Sequence, residues 1–167
     1  EEIQKLESAV KVSKEELTKV KEKALAELGE HEAEIFEAHL LVLEDPELIG
    51  SAISKIRDEK VNADYALNEI KEMFVAMFES MDNEYMRERA ADIKDVSKRI
   101  ISNLAGKGGE DFAVTEKDTI VVAHDLTPSD TAGLDRSKVI GFITDVGGRT
   151  SHAAIMARTL EIPAVLG

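Results

Sequence analysis

The sequence predicts a mixed α+β fold, in which a helical region is followed by a shorter region that alternates strand and helix. Apolar residues recur at helical spacing from the N-terminus to about Leu104. A glycine-rich break at 106–109 follows, and beyond it β-branched runs replace the helical pattern. We therefore expect a helical region over residues 1–105 and a β/α region over residues 106–167.

Turn and capping signals divide the first region into five predicted helices. Gly29 is a stop signal, Asp45-Pro46 is a start signal, and Asp82-Asn83 forms a turn. The predicted helices cover Glu1 to about Leu28, Glu30 to Leu43, Glu47 to about Glu59, a segment from Asn62 that includes Phe78, and a last segment that ends near Leu104. Two helical hairpins are the simplest arrangement. Four methionines at helical spacing are expected to lie in the core or to line a groove, with the core favoured, namely Met73, Met77, Met81 and Met86.

The second region has the order strand, helix, strand, helix, strand. Thr119–Val122 and Val139–Thr144 are β-branched runs, and Thr127–Asp130 between them begins a turn or short helix. Gly147-Gly148 precede another helix, and Ala164–Leu166 is the last predicted strand.

Composition excludes several classes of function. The 167 residues carry a net charge of -13, most of it before Leu104, so a nucleic-acid backbone would be repelled and a basic protein partner attracted. Without cysteine there is no disulfide or thiolate site, and the four histidines lack paired ligand spacing, so no metal site is expected. No stretch approaches the roughly 20 apolar residues of a membrane span, and we expect a cytoplasmic protein with no membrane contact.

The segment from Gly147 to Arg158 places His152 in the first turn of a helix whose approach is rich in glycine. Glycines allow a sharp turn and close approach to a ligand, while the unpaired N–H groups and the positive end of the helix dipole favour an anion. A neutral imidazole is nucleophilic near pH 7, and a phosphoramidate can pass its phosphoryl group onward. A lone histidine at a helix start is more often a capping or packing residue. The pattern by itself therefore leaves two interpretations of His152 open: a phosphoryl-accepting nucleophile, or a capping or packing residue.

A longer match favours the nucleophile. The run 147–158, followed by 160–164, closely resembles the phosphohistidine signature of phosphoenolpyruvate-utilising phosphotransferases. Segments 35–39, 43–45, 84–85, 88–92, 125–129 and 141–145 resemble the enzyme I family of the bacterial sugar phosphotransferase system. The resemblance implies a helical-hairpin subdomain inserted in a swivelling β/α phosphohistidine domain that is incomplete in this chain.

In that family a phosphoryl group passes from phosphoenolpyruvate to a histidine and then to a histidine of the carrier protein HPr, the first step of sugar uptake. The resemblance assigns the phosphorylated position to His152. Residues expected around the phosphohistidine are Thr131, Gly148, Arg149, Thr150 and Ser151. Residues expected to contact HPr are Glu30, His39, Leu43, Asp45, Glu47 and Arg89. For His39, packing beside Phe36 and Leu40 is an equal alternative.

In the family, the phosphoenolpyruvate and magnesium site lies in a separate barrel domain, which we expect to be absent from these 167 residues. We therefore expect no cofactor in this chain, Mg²⁺ and a homodimer only in the full-length enzyme, and no phosphorylation by phosphoenolpyruvate of the chain alone. Two alternatives stay open. One is the phosphohistidine domain of a related phosphoenolpyruvate-utilising enzyme, and the other is a non-catalytic module that docks HPr.

Overall fold

The computed structural model describes residues 1–108, 116–135, 137–149 and 151–167. The helices are α1 (Glu2–Glu27), α2 (Glu30–Leu43), α3 (Pro46–Glu59), α4 (Ala63–Glu79), α5 (Glu84–Leu104), α6 (Pro128–Gly133) and α7 (His152–Leu160), and the strands are β1 (Thr119–Ala123), β2 (Val139–Thr144) and β3 (Ala164–Leu166). The mixed α+β class and the predicted order of elements are confirmed. Within the described residues, no helix is both long enough and apolar enough to cross a membrane.

The predicted start signal at Asp45-Pro46 acts through a side-chain cap. Asp45 Oδ1 accepts a hydrogen bond from the backbone N of Glu47 at 2.9 Å, and Pro46 follows as the first residue of α3. Asn83 caps α5 in the same way, because its Oδ1 accepts from Tyr85 N at 2.9 Å. These local bonds explain why the helix starts could be read from the sequence.

Residue contacts divide the chain into two compact units. The helical unit comprises residues 1–21 and 34–109, and the α/β unit comprises residues 22–33 and 110–167. The end of α1 and the start of α2 thus group with the α/β unit. The domain boundary at residues 105 and 106 stays a prediction.

The helical unit has a closely packed apolar core. Its most buried large side chains include Leu6, Leu17, Phe36, Val42, Leu67, Val96 and Ile100. Burying a side chain of this size contributes about 1.5–3 kcal/mol relative to leaving it exposed. The core position favoured for the methionines is wrong for three of the four, because Met73, Met77 and Met81 are exposed, and the groove alternative stays a prediction. Helical spacing gives a common face for these residues, but it does not determine whether that face meets protein or solvent.

The α/β unit contains a parallel three-stranded sheet in the order β1-β2-β3. Its core includes Val121, Leu126, Leu134, Val139, Phe142, Ala153 and Ala157. Since β1 and β2 run in the same direction, α6 and α7 both begin beyond the carboxyl ends of strands. That edge is where open α/β sheets bind their ligands.

Candidate functional site

The candidate site is built on the loop between β2 and α7. Gly147 has φ +131°, a conformation that side-chain-bearing residues rarely adopt, so a glycine is required at this turn. Ser151 ends the loop as the N-cap of α7: its Oγ accepts from Ala154 N at 3.3 Å, and its own N donates to Gly148 O at 2.9 Å. These bonds hold the chain that leads into the helix.

His152 is the first residue of α7, a helix of nine residues. Its side chain is partly buried, and its Nε2 atom is shielded from solvent. The N–H groups of a first helical turn have no carbonyl partner within the helix, and together with the helix dipole they favour negative charge. A phosphoryl group on this imidazole would therefore lie beside a favourable electrostatic environment.

Thr131 lies on α6, which packs against α7. Its side chain is buried, and its Oγ1 donates to the α6 carbonyls of Thr127 at 3.1 Å and Pro128 at 2.9 Å. Engaged in this way, the hydroxyl can accept from an imidazole N–H, whereas a phosphate oxygen would compete with the two carbonyls for its proton. In this arrangement Thr131 suits orientation of a histidine ring better than binding of phosphate.

Two arginines lie beside the loop. Arg158, two turns along α7, donates from Nη2 to the backbone O of Arg149 at 3.0 Å. Both line a groove of about 670 Å³ together with Gly147 and Gly148. Two guanidinium groups here place positive charge next to the predicted phosphohistidine loop. Thr150, also predicted for this site, lies outside the described residues.

The residues predicted to contact a partner fall into different environments. Asp45 and Glu47 lie at the start of α3, and Arg89 Nη2 on α5 pairs with Asp45 Oδ2 at 3.3 Å. Glu47 is exposed. Asp45 is therefore engaged twice within the helical unit, once by the cap and once by this ion pair.

Leu43 and His39 are interior residues of the helical unit. Leu43 is 3% exposed and His39 is 1% exposed, so neither presents its side chain at the surface of this structure. Phe36 packs edge-on against the His39 ring, with ring centroids 5.7 Å apart. Glu30, in the α/β unit, is exposed in the first turn of α2.

The polar partners of His39 were not predicted from the sequence. Its Nε2 lies 3.2 Å from Asp92 Oδ1, and its Nδ1 lies 3.6 Å from Asp95 Oδ2. The two aspartates are three residues apart on α5 and therefore share a face of that helix. The spacing of the two aspartates is visible in the sequence. His39, which faces them, lies on another helix, 53 residues before Asp92.

A metal site is not formed by the described residues, among which no group of three or more His, Cys, Asp or Glu side chains is arranged to hold an ion.

Comparison with known proteins gives two family matches. Residues 1–89 match the family described as PEP-utilising enzyme, N-terminal, and residues 115–167 match the family described as PEP-utilising enzyme, mobile domain. The chain is 60% identical over 166 residues to a phosphoenolpyruvate-protein phosphotransferase of Listeria monocytogenes, and 58% identical to that of Bacillus subtilis. Each alignment covers 99% of this chain and 29% of the relative, so the chain spans under a third of their length.

Solved structures agree with these matches. The fold is similar to an NMR structure described as Enzyme I (nEIt), with a TM-score of 0.83 and 53% identity over 99% of this chain and 67% of that one. It is also similar to a structure described as the N-terminal domain of Enzyme 1 - Nitrogen, with a TM-score of 0.72, 26% identity and the same coverage.

Proposed function

Because the chain belongs to the enzyme I family of PEP-utilising enzymes, we propose that it carries a phosphoryl group on His152 and exchanges it with a histidine of the carrier HPr. In the longer enzyme the group comes from phosphoenolpyruvate, and its transfer to HPr is the first step of sugar uptake. The observation that carries this proposal is the position of His152 as the first residue of α7, after the Gly147 turn and the Ser151 cap.

The chemistry requires little more than a positioned imidazole and a stabilised phosphoryl group. A lone pair of the ring attacks phosphorus in line with the leaving group, which is the enolate oxygen of phosphoenolpyruvate or an imidazole of the carrier. On return to the carrier, the P–N bond to His152 breaks as the P–N bond to the carrier forms. The helix terminus and Arg149 and Arg158 offset charge on the three phosphoryl oxygens.

Docking of the carrier is assigned to the helical unit. Its acidic surface at the start of α3 includes Glu47 and Asp45, and acidic patches attract and orient a basic partner surface. Arg89 completes the proposed contact set of this unit. Glu30, in the α/β unit, is proposed as a separate contact. We leave His39 and Leu43 out of direct contact, because their side chains lie in the core.

Other parts of the proposal concern the longer enzyme. Use of phosphoenolpyruvate and Mg²⁺, and formation of a homodimer, are assigned to the portion of the relatives that this chain does not cover. A cytoplasmic location belongs to the same proposal.

The test is phosphoryl exchange with phosphorylated HPr. The chain, His152→Ala and His124→Ala would each be incubated with the phosphorylated carrier and examined by intact mass and ³¹P NMR. His124 is a matched control, because it is an exposed histidine of the same unit, with Nδ1 3.2 Å from Asp145 Oδ2. We expect a phosphoramidate on the chain and on His124→Ala, and none on His152→Ala.

Two other results would favour a different function for the chain. Exchange with a nitrogen-system carrier and not with HPr would favour the related phosphohistidine domain. Binding of HPr without any phosphoryl label would favour a docking module.

A further inference from the structure

His39 is a histidine enclosed in the helical unit and facing two carboxylates. Its side chain is 1% exposed, and that of Asp95 is 6% exposed. Since a carboxylate accepts hydrogen bonds, the contact of 3.2 Å to Asp92 Oδ1 is a bond donated by Nε2–H. The Nδ1 atom lies 3.6 Å from Asp95 Oδ2, which is within ion-pair distance but beyond a normal hydrogen bond.

Such a cluster is an inefficient way to stabilise a core. Removing ionisable groups from water costs free energy that their mutual attraction only partly offsets, and an apolar side chain of similar volume often serves stability as well. What a polar cluster adds is geometry, because its hydrogen bonds are satisfied at only one alignment of the helices. Here the bond from His39 Nε2–H to Asp92 Oδ1 joins α2 to α5.

A second link, one turn away on α5, joins that helix to the N-cap residue of α3. Arg89 precedes Asp92 by three residues on α5, and its Nη2 pairs with Asp45 Oδ2 at 3.3 Å. Asp45 directly caps α3, because its Oδ1 accepts from Glu47 N. The position of α2 along α5 therefore also sets where the α2–α3 turn lies relative to Arg89.

We propose that His39 is a positioning residue for the carrier-docking surface: through Asp92 it holds α2 at the alignment in which Asp45 and Arg89 pair and Glu47 is presented to solvent. The inference rests on the proposed docking function. His39 itself does not touch the carrier.

The test compares two replacements of His39 that differ in one property. Glutamine places an amide N–H close to the position of Nε2 and can still donate to Asp92, whereas leucine fills similar space and donates nothing. We expect His39→Leu to weaken HPr binding by roughly fivefold or more in isothermal titration, and His39→Gln to retain most of the affinity. Equal affinity of both variants with the parent chain would overturn the proposal.

Asp92→Ala removes the same link from the partially exposed side, so the test does not depend on folding of His39→Leu. The double variant should lose no more affinity than either single variant, because both delete one interaction. Strictly additive losses would contradict the proposed link.

A stability-matched control separates positioning from simple loss of structure. Asn103 Nδ2 donates to Ser13 Oγ at 2.9 Å and to Glu16 Oε2 at 3.0 Å, so it joins α5 to α1 at the opposite end of α5. Asn103→Ala should lower the urea midpoint and leave HPr affinity unchanged. If carrier affinity follows the midpoint across all variants, Asn103→Ala included, His39 is only structural.

NMR of the chain without HPr tests the inference independently of docking. The amide resonances of Asp45 and Glu47 should shift in His39→Leu and Asp92→Ala, and stay in place in Asn103→Ala and His39→Gln. Absence of HPr binding by the parent chain would refute the proposed function. The resonance shifts do not depend on HPr: their presence would support the positioning of α3 by His39, and their absence would refute it.

Discussion

Glu2 caps a helix to which it does not belong. Its Oε2 accepts a hydrogen bond from the backbone N of Ala63, the first residue of α4, at 3.0 Å. Asn62 occupies the N-cap position of α4 but makes no side-chain capping bond. The Glu2 carboxylate of α1 therefore pairs with a backbone N–H at the start of α4 for which the local sequence provides no cap. The same bond joins the first and fourth helices.

This cap predicts an acid-sensitive contribution to stability. The bond to Lys5, and next the Ala63 N–H, lower the pKa of Glu2 below its ordinary value of 4.5. A lowered folded-state pKa means that the stabilisation is fully present above pH 4.5 and is lost as the pH falls through the folded value. We expect Glu2→Gln to lower the Tm at pH 7 by about 2–4 °C and to make the Tm less dependent on pH below 4.5.

Glu72 provides the matched control. Its pKa is lowered by a contact with Lys71, and its side chain is more exposed than that of Glu2. Glu72→Gln should change the Tm at pH 7 much less, because no helix start depends on it. Equal effects of the two substitutions would show that the Glu2 cap adds nothing to an ordinary surface ion pair.

Two adjacent glycines should respond differently to a methyl group. Gly147→Ala forces a side chain into φ +131° and places its Cβ 3.4 Å from Ser151 Oγ, so we expect a loss of about 1–3 kcal/mol in urea unfolding. A Cβ on Gly148 meets nothing within 4 Å, so Gly148→Ala should keep the fold. If Gly148→Ala slows phosphoryl exchange while the fold is intact, the cause is a clash of the added methyl group with the bound phosphoryl group, because the methyl group does not disturb the loop.

Arg158 is predicted to order the loop before α7 as well as to supply positive charge for the phosphoryl group. Arg158→Met removes the bond to the Arg149 carbonyl and should slow phosphoryl exchange by roughly tenfold, because a less ordered loop misplaces the reacting groups. Arg149→Met keeps that carbonyl and removes only a charge. Single-turnover exchange measured at two salt concentrations distinguishes them: the Arg158 effect should persist at high salt, and the Arg149 effect should shrink. Identical salt dependence would leave charge as the sole role of Arg158.

The start of α3 should respond to charge reversal in a position-dependent way. Glu47→Lys is expected to reduce HPr affinity by roughly tenfold at low salt with little change in Tm, because Glu47 is exposed. Glu59→Lys, at the other end of the same helix, makes the same change in net charge and should have little effect. Equal losses for both variants would indicate a nonspecific response to net charge.

Much of the site could be located from the sequence because its signals are local. The Gly147 turn, the Ser151 cap and the helix that begins at His152 all lie within a few residues of one another. The interactions that were missed are long-range in sequence or depend on side-chain direction. Arg158 reaches back nine residues to the loop, and the proton of Thr131 is engaged by its own helix.

Sequence alone determined the order of helices and strands, the start signal at Asp45-Pro46 and the turn at Asp82-Asn83, because each depends on periodicity or on bonds between near neighbours. The choice of His152 as the candidate nucleophile came from the resemblance of its segment to a known family. Tertiary structure decided which faces are buried. It placed His39 in the core against Asp92, left Met73 exposed, and supplied the cap of α4 from Glu2. These outcomes depend on which helices meet and at what alignment, and that is set by packing of the whole chain, which no local pattern encodes.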